Sequence, residues 1–505
     1  MTEEPKPSER PPGLRLAATG IEGLDDILRG GLTRNQLYVL EGVPGSGKTT
    51  LALQFLAEGV RRGEAVLYVT LSETENELRM SASSHGWSLE GIHIHELIAS
   101  EQSLDRDAHY TLFHPSEVEL PQATQVILTE VERIKPSRVV FDSLSEVRLL
   151  AGTSLRYRRQ ILALKRYFSG RGCTVLLLDD LTDTDHDLQI QSIAHGVILL
   201  DQLNPEYGAE RRRLRVIKYR GTAFRGGFHD YIIRRGGLDV FPRLVAAEHR
   251  QLIEGQKLAS NVAQLDGLLG GGIERGTSTL IVGPPGTGKS SLAAKFVAAA
   301  GERGEHAAMF IFDEGLQTLL TRSAGLGADL QKHIDAGRLT IQQIDPAELS
   351  PGEFAHAIRR AVEKSGAAIV VIDSLNGYMN AMPEERFLTI QLHELLSYLG
   401  QLNVATLLIA AHHGLIGAQM NSPVDASYLA DAVVLLRYFE AEGEVRQVIS
   451  VVKKRGGEHE RTIREFRLQR GSIWVGEPLR GFRGVLTGVP VYGGQEGSAT
   501  EGRPS

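Results

Sequence analysis

The chain has 505 residues and a mass of 55.2 kDa, enough for roughly two to four domains that each bury a core. Hydrophobic residues at 42% and charged residues at 23% exclude wholesale disorder and a fibrous protein, and a net charge of −7 excludes a large basic footprint for generic nucleic-acid binding. A single cysteine, Cys173, forms no intramolecular disulfide, no secretory or bilayer-spanning apolar run is present, and the expected compartment is a reducing cytoplasm.

Residues 1–13, MTEEPKPSERPPG, are rich in Pro and charge and read as a disordered tail. Next comes GLDDILRGGL at 23–32, which returns as QLDGLLGGGI at 264–273, just as Lys48 returns 241 residues later as Lys289. VIKYRG and VVKKRG recur later in each half. A period this long is a domain duplication rather than a solenoid. In the first copy the apolar pattern predicts a strand over 37–41, a helix over 48–62, a strand over 65–70 and another over 139–141. Strand and helix alternate, so the fold class is α/β, with a doubly wound, mostly parallel sheet in each copy and ligands at the carboxyl ends of the strands. We place the first domain at 14–247, the second at 248–490, the junction in AAEHRQLIEGQKLAS, and a Gly-rich polar tail at 491–505.

Gly42-Val-Pro-Gly45-Ser46-Gly47-Lys48-Thr49 and Gly283-Pro-Pro-Gly286-Thr287-Gly288-Lys289-Ser290 both fit the phosphate-loop pattern between a strand and a helix. Their glycines let backbone N–H groups converge on phosphates, the lysines bring charge to the β/γ oxygens, and Thr49 and Ser290 reach Mg²⁺. Thr50 and Ser291, next in line, complete the cofactor-binding candidates. A chance glycine-rich turn would not recur in register with the same flanking elements. Asp142 and Asp373 end apolar strands and are the candidates for holding the metal's water shell, a placement that an ordinary helix cap or turn residue also takes. The strand after the first helix ends in Ser72-Glu73 in one copy and Asp313-Glu314 in the other. These are candidates for a base or a water-orienting group, against the alternative of a solvated strand end. Lys218 with Arg220, and Lys453 with Arg455, place two cations on one strand face. Such a pair suits the γ-phosphate of an adjacent subunit, the alternative being a basic surface strand.

With these motifs the chain resembles the KaiC family over about residues 16–490, including Ile463-Arg-Glu-Phe466 and Phe482-Arg-Gly-Val-Leu-Thr-Gly-Val-Pro490. The resemblance implies tandem RecA-like P-loop NTPase domains, a double-ring homohexamer with ATP between subunits, an ATPase in the first ring and an autokinase in the second. In that reading Asp313 is the base for phosphoryl transfer, with Glu314 beside it. The family's clock protein has an acidic pair where this chain has Ser72-Glu73, and two glutamates where it has Asp313-Glu314. The clock protein's Ser-Thr acceptor pair becomes Ser427-Tyr428, which leaves Ser427 as the phosphoacceptor candidate, with a loop residue that bonds locally as its alternative. A tyrosine hydroxyl projects further than a threonine one, so geometry built for threonine would be disturbed. A KaiB-like regulator fits the resemblance. The short Gly-rich C-terminal tail argues against a KaiA-like one.

Arg211-Arg-Arg213 with Arg215, and Arg156-Tyr-Arg158-Arg159, could touch nucleic acid but read as solvated faces, and DNA is not an expected partner. His412-His413 follows an apolar strand and could sense the γ-phosphate, and no Cys or His spacing suits zinc. The leading expectation is a KaiC-like ATPase with a serine autokinase in its second domain, acting in signalling or in clock- or stress-type regulation. The alternatives are a DNA-dependent motor of the RecA or DnaB kind and a nucleotide-gated scaffold with negligible hydrolysis.

Overall fold

The computed structural model describes residues 15–97, 115–181, 188–205, 208–246, 255–380, 388–411, 428–487 and 491–492. The chain divides between Arg243 and Leu244 into two compact units. Each is built on a nine-stranded sheet, whose strands are numbered here in chain order. The first sheet has β1 (Leu37–Gly42), β2 (Val66–Thr70), β3 (Ile92–Glu96), β4 (Arg138–Asp142), β5 (Thr174–Asp180), β6 (Gly196–Leu203), β7 (Arg211–Tyr219), β8 (His229–Arg234) and β9 (Gly237–Phe241). The second has β10 (Ser278–Gly283), β11 (His306–Ile311), β12 (Leu339–Gln343), β13 (Ala367–Asp373), β14 (Ala405–Ala411), β15 (Ala432–Ala441), β16 (Glu444–Lys454), β17 (Arg464–Gln469) and β18 (Ser472–Pro478).

The strand order is β3-β2-β4-β5-β1-β6-β7-β8-β9 in the first unit and β12-β11-β13-β14-β10-β15-β16-β17-β18 in the second, the same topology twice. Neighbours from β3 to β6 are parallel and those from β6 to β9 antiparallel. The expected doubly wound α/β fold is therefore present in both halves. It is extended by an antiparallel edge that the sequence pattern did not announce, because β7 is a run of arginines before it becomes apolar.

The central strands are mostly apolar because both faces are covered, and the period of two splits their side chains between two cores. Tyr38, Leu40, Tyr68, Val140 and Leu176 face the Lys48–Arg61 helix, which contributes Leu51, Phe55 and Leu56. Leu37, Val39, Val69, Phe141 and Leu177 face the Ser154–Ser169 helix through Tyr157, Ile161 and Phe168. The second unit repeats the arrangement, with Ile281 and Val371 on one face and Leu280 and Val370 on the other. Each parallel set ends at one edge, so β1, β2, β4 and β5 deliver Gly42, Thr70, Asp142 and Asp180 to the same side. Among the described residues no helix is long and apolar enough to cross a membrane.

Candidate nucleotide sites

Both phosphate loops turn from the central strand into a helix through a glycine in the left-handed region, Gly47 at φ 89° and Gly288 at φ 93°. A side chain is disfavoured at such angles, which explains the glycine. Gly45 and Gly286 take φ 81° and 80°. Gly42 and Gly283 are needed for a second reason: a Cβ would stand 2.5 Å from Ser46 Oγ in one loop and 2.3 Å from the Leu436 carbonyl oxygen in the other. Ser46 and Thr287 are fully buried, and their hydroxyls donate to the carbonyls of Val43 at 2.7 Å and Pro284 at 2.8 Å. Those hydroxyls brace the loop's curve, and a ligand would meet the backbone N–H groups instead.

Lys48 Nζ donates to the Gly42 carbonyl at 2.8 Å and forms an ion pair with Asp180 Oδ1 at 2.7 Å. Lys289 Nζ donates to the Pro284 carbonyl at 2.8 Å and, among the described residues, has no ion pair. Burial pushes the Lys289 ammonium down to about 8, with Asp373 pulling the other way. Thr50 and Ser291 have partners outside the loops: Thr50 Oγ1 lies 3.5 Å from His85 Nε2, and Ser291 Oγ accepts from Arg322 at 3.3 Å.

The strand-end aspartates stand beside the hydroxyls that open each helix. Thr49 Oγ1 donates to Asp142 Oδ2 at 3.3 Å, and the buried Tyr68 hydroxyl donates to the same oxygen. Burial raises the Asp142 carboxyl, opposed by the Tyr68 bond and assisted by the charge of Asp180. Burial likewise pushes Asp373 up to about 6, against a hydrogen bond from Ser290. Its Oδ2 is shut off from solvent and has no hydrogen-bond partner among the described residues. An orphaned carboxylate oxygen next to a helix-opening hydroxyl fits a hard divalent cation, so the residues present suit Mg²⁺. Among the described residues no three His, Cys, Asp or Glu side chains converge on a metal. Mg²⁺ needs no such cage, because it takes most ligands from phosphate and water. In both copies the peptide bond after the aspartate is cis.

The acidic strand ends differ. Glu73 is half-buried, its backbone tied to Thr70 Oγ1 at 3.0 Å, and its carboxyl is raised by burial and by the charges of Asp142, Glu77 and Asp180. Asp313 is exposed and accepts from the Ser374 hydroxyl. Glu314 pairs with Arg322 at 2.6 Å, so it is already committed to a cation. Two members of these sites were not singled out from sequence. Asp180 closes β5 after the apolar run Val175–Leu178 and then Asp179, much as Asp142 closes the apolar run of β4, which was the available signal; Arg322, eight residues past Glu314 on the next helix, left none.

The paired cations lie far along the chain from the loops, and among the described residues their hydrogen bonds go to other segments of their own domain. Lys218 donates to the carbonyls of Gln191 and Ser192, and Arg220 to that of Ser192 at 2.8 Å, so both share one face. Burial and the neighbouring Arg220 and Lys165 lower the Lys218 ammonium. Lys453 donates to the Ala430 carbonyl at 2.8 Å, and Arg455 to that of Tyr428 at 2.8 Å. Ser427, His412 and His413 lie outside the described residues. In the arginine-rich stretch, Arg213 pairs with Asp201 at 2.9 Å and stacks over Phe228 at 4.1 Å.

A profile of the family described as the KaiC ATPase matches residues 17–245 and again 258–480. The chain is 28% identical over 493 residues to a circadian clock protein KaiC3 of Synechocystis, covering 96% of each. It is 27% identical over 484 residues to a circadian clock oscillator protein KaiC of Synechococcus elongatus, covering 94% of this chain and 91% of that one. Against a circadian clock oscillator protein KaiC of Parathermosynechococcus lividus the identity is 26% over 485 residues, with coverage of 95% and 88%.

Proposed function

The chain belongs to the KaiC ATPase family, and from that premise we propose a cytoplasmic, Mg-ATP-dependent homohexamer that hydrolyses ATP in its first domain and phosphorylates its own hydroxyls in its second. Its output would be signalling or clock-type regulation, read by a KaiB-like partner. The observation that carries this reading is the doubled constellation of a phosphate loop beside a strand-end aspartate, with a different acid at the neighbouring strand end in each copy. Lys48, Thr49, Asp142 and Glu73 serve the first site, and Lys289, Ser290, Asp373, Asp313 and Glu314 the second. Mg²⁺, when bound, screens the charge of the phosphate oxygens. Lys218 with Arg220, and Lys453 with Arg455, act on the nucleotide of a neighbouring subunit.

In the second domain the acceptor oxygen of Ser427 bonds the γ-phosphorus as the bond to the β,γ-bridging oxygen breaks. ADP leaves with that electron pair, and the hydroxyl proton passes to Asp313, the exposed carboxylate. Tandem mass spectrometry of the peptide 421–437 after incubation with Mg-ATP tests this. Phosphate on Ser427, absent from Lys289→Ala, is the expected result; an unmodified peptide despite continuing ATP hydrolysis would remove the kinase half. Lys48→Ala is expected to lose ATP-dependent hexamers in sedimentation, and unchanged assembly and hydrolysis would sink the first-site assignment.

A further inference from the structure

We propose that Asp180 is the carboxylate that accepts the proton of the attacking water in the first domain, standing in for the acid that this chain lacks at Ser72. The inference rests on the ATPase reading of that domain and gives its site a second acid beside Glu73.

The geometry comes from sheet register. Asp180 closes β5 directly across from Gly42, the first residue of the phosphate loop. Its Oδ1 lies 2.7 Å from Lys48 Nζ, and its Oδ2 accepts from Ser145 Oγ at 3.1 Å. The Lys48 ammonium is the group that a γ-phosphate engages. A carboxylate bonded to it therefore stands beside the seat of the reacting phosphorus. Asp180 keeps 28% of its side chain exposed, so water reaches it. Glu73 is less well placed, since its carboxylate makes no hydrogen bond to the loop among the described residues.

The second copy supplies the control. There the position across from Gly283 is Ala411, and the Asn376 amide bonds the Ala411 backbone in both directions, at 3.0 and 2.7 Å. The acid lies at the end of β11 instead, where Asp313 receives the hydroxyl of Ser374, the residue after the strand-end aspartate. In the first copy the corresponding hydroxyl, Ser143, contacts Ser145, which reaches Asp180. The serine after the aspartate thus leads to one carboxylate in each copy, from the strand on one side of β13 and the strand on the other side of β4. Asp180 and Ser72 in the first domain exchange character with Ala411 and Asp313 in the second.

When ATP binds, Lys48 turns to the γ-phosphate and Asp180 is released from its ion pair. The water oxygen bonds the γ-phosphorus while the bond to the β,γ-bridging oxygen breaks. ADP leaves with that electron pair, the water proton passes to Asp180, and the carboxylate returns it to solvent as phosphate departs.

The test uses the full-length chain carrying Lys289→Ala, so that turnover comes from the first domain. Asp180→Asn is expected to lower kcat by about 10²-fold while the affinity for the β,γ-imido analogue of ATP stays equal or tightens. Adding Ser72→Asp to that variant, which puts the acid where the second domain has it, is expected to recover about tenfold. An unchanged kcat, a loss of analogue binding in step with kcat, or no recovery with Ser72→Asp would each overturn the proposal. If the Lys289→Ala parent hydrolyses nothing, the ATPase reading of the first domain falls and takes this inference with it. An active parent with an unaffected Asp180→Asn removes the inference alone.

Discussion

His229 is 1% exposed, and both of its ring nitrogens are engaged: Nδ1 accepts the backbone N–H of Arg243 at 2.9 Å, and Nε2 donates to the Arg225 carbonyl at 3.0 Å. Only a neutral imidazole can accept and donate in this way. Burial accordingly pushes its pKa down to about 4, against the Arg225 hydrogen bond. The unfolded chain titrates near ~6.5, so between about 6.5 and 4 it holds a proton that the folded chain does not. Stability contributed by the neutral ring is complete above that window and is lost as pH falls through it, on the order of 3 kcal/mol in all. Urea unfolding at pH 7 and pH 4.5 should show the parent losing more stability than His229→Gln, and parallel losses would place the acid sensitivity elsewhere. Arg138 is also fully buried. It donates to Glu64 at 2.7 Å and to the carbonyls of Ala18 and Phe55 at 2.7 and 2.8 Å, and it lies over the Phe55 ring.

At the scale of elements the phosphate loops were the most legible part of the chain, because their spacing is dictated by backbone angles that glycine alone takes freely. Gly283→Ala puts its Cβ 2.3 Å from the Leu436 carbonyl oxygen on β15, so loop and strand must separate. With a strain of about 2 kcal/mol, nucleotide binding should weaken roughly 30-fold at that site. Equilibrium dialysis at concentrations that saturate the parent would then find one nucleotide per chain instead of two; two would mean that the loop absorbs the methyl. The strand-end acids Asp142 and Asp373 could be read from the apolar runs before them. Asp180 stands one residue beyond a similar run, yet its place beside Lys48 appears only once the topology sets β5 beside β1, an adjacency between residues more than a hundred apart. The same holds for β7 to β9, where charged residues on a solvated face blur the alternation that betrays the inner strands.

Across the whole molecule the duplication preserves topology while the chemistry of its two sites diverges. Lys48 is held by Asp180, whereas Lys289 has only the Pro284 carbonyl among the described residues. ATP must break an ion pair to enter the first site and none to enter the second. A titration of nucleotide-free protein should therefore be biphasic, with the tighter phase lost in Lys289→Ala and the weaker one in Lys48→Ala; the reverse assignment would show that the ion pair does not govern affinity. The paired cations carry a related consequence. Lys218 and Arg220 already hold the carbonyls of Gln191 and Ser192 in the isolated chain. In the proposed homohexamer, reaching a phosphate on a neighbouring subunit would be an exchange of one set of charge-assisted bonds for another. A joint made by exchange closes with little net drive and opens as readily. In that homohexamer its grip would follow the negative charge left on the neighbour's nucleotide, and such a ring would behave as a latch graded by the state of its fuel.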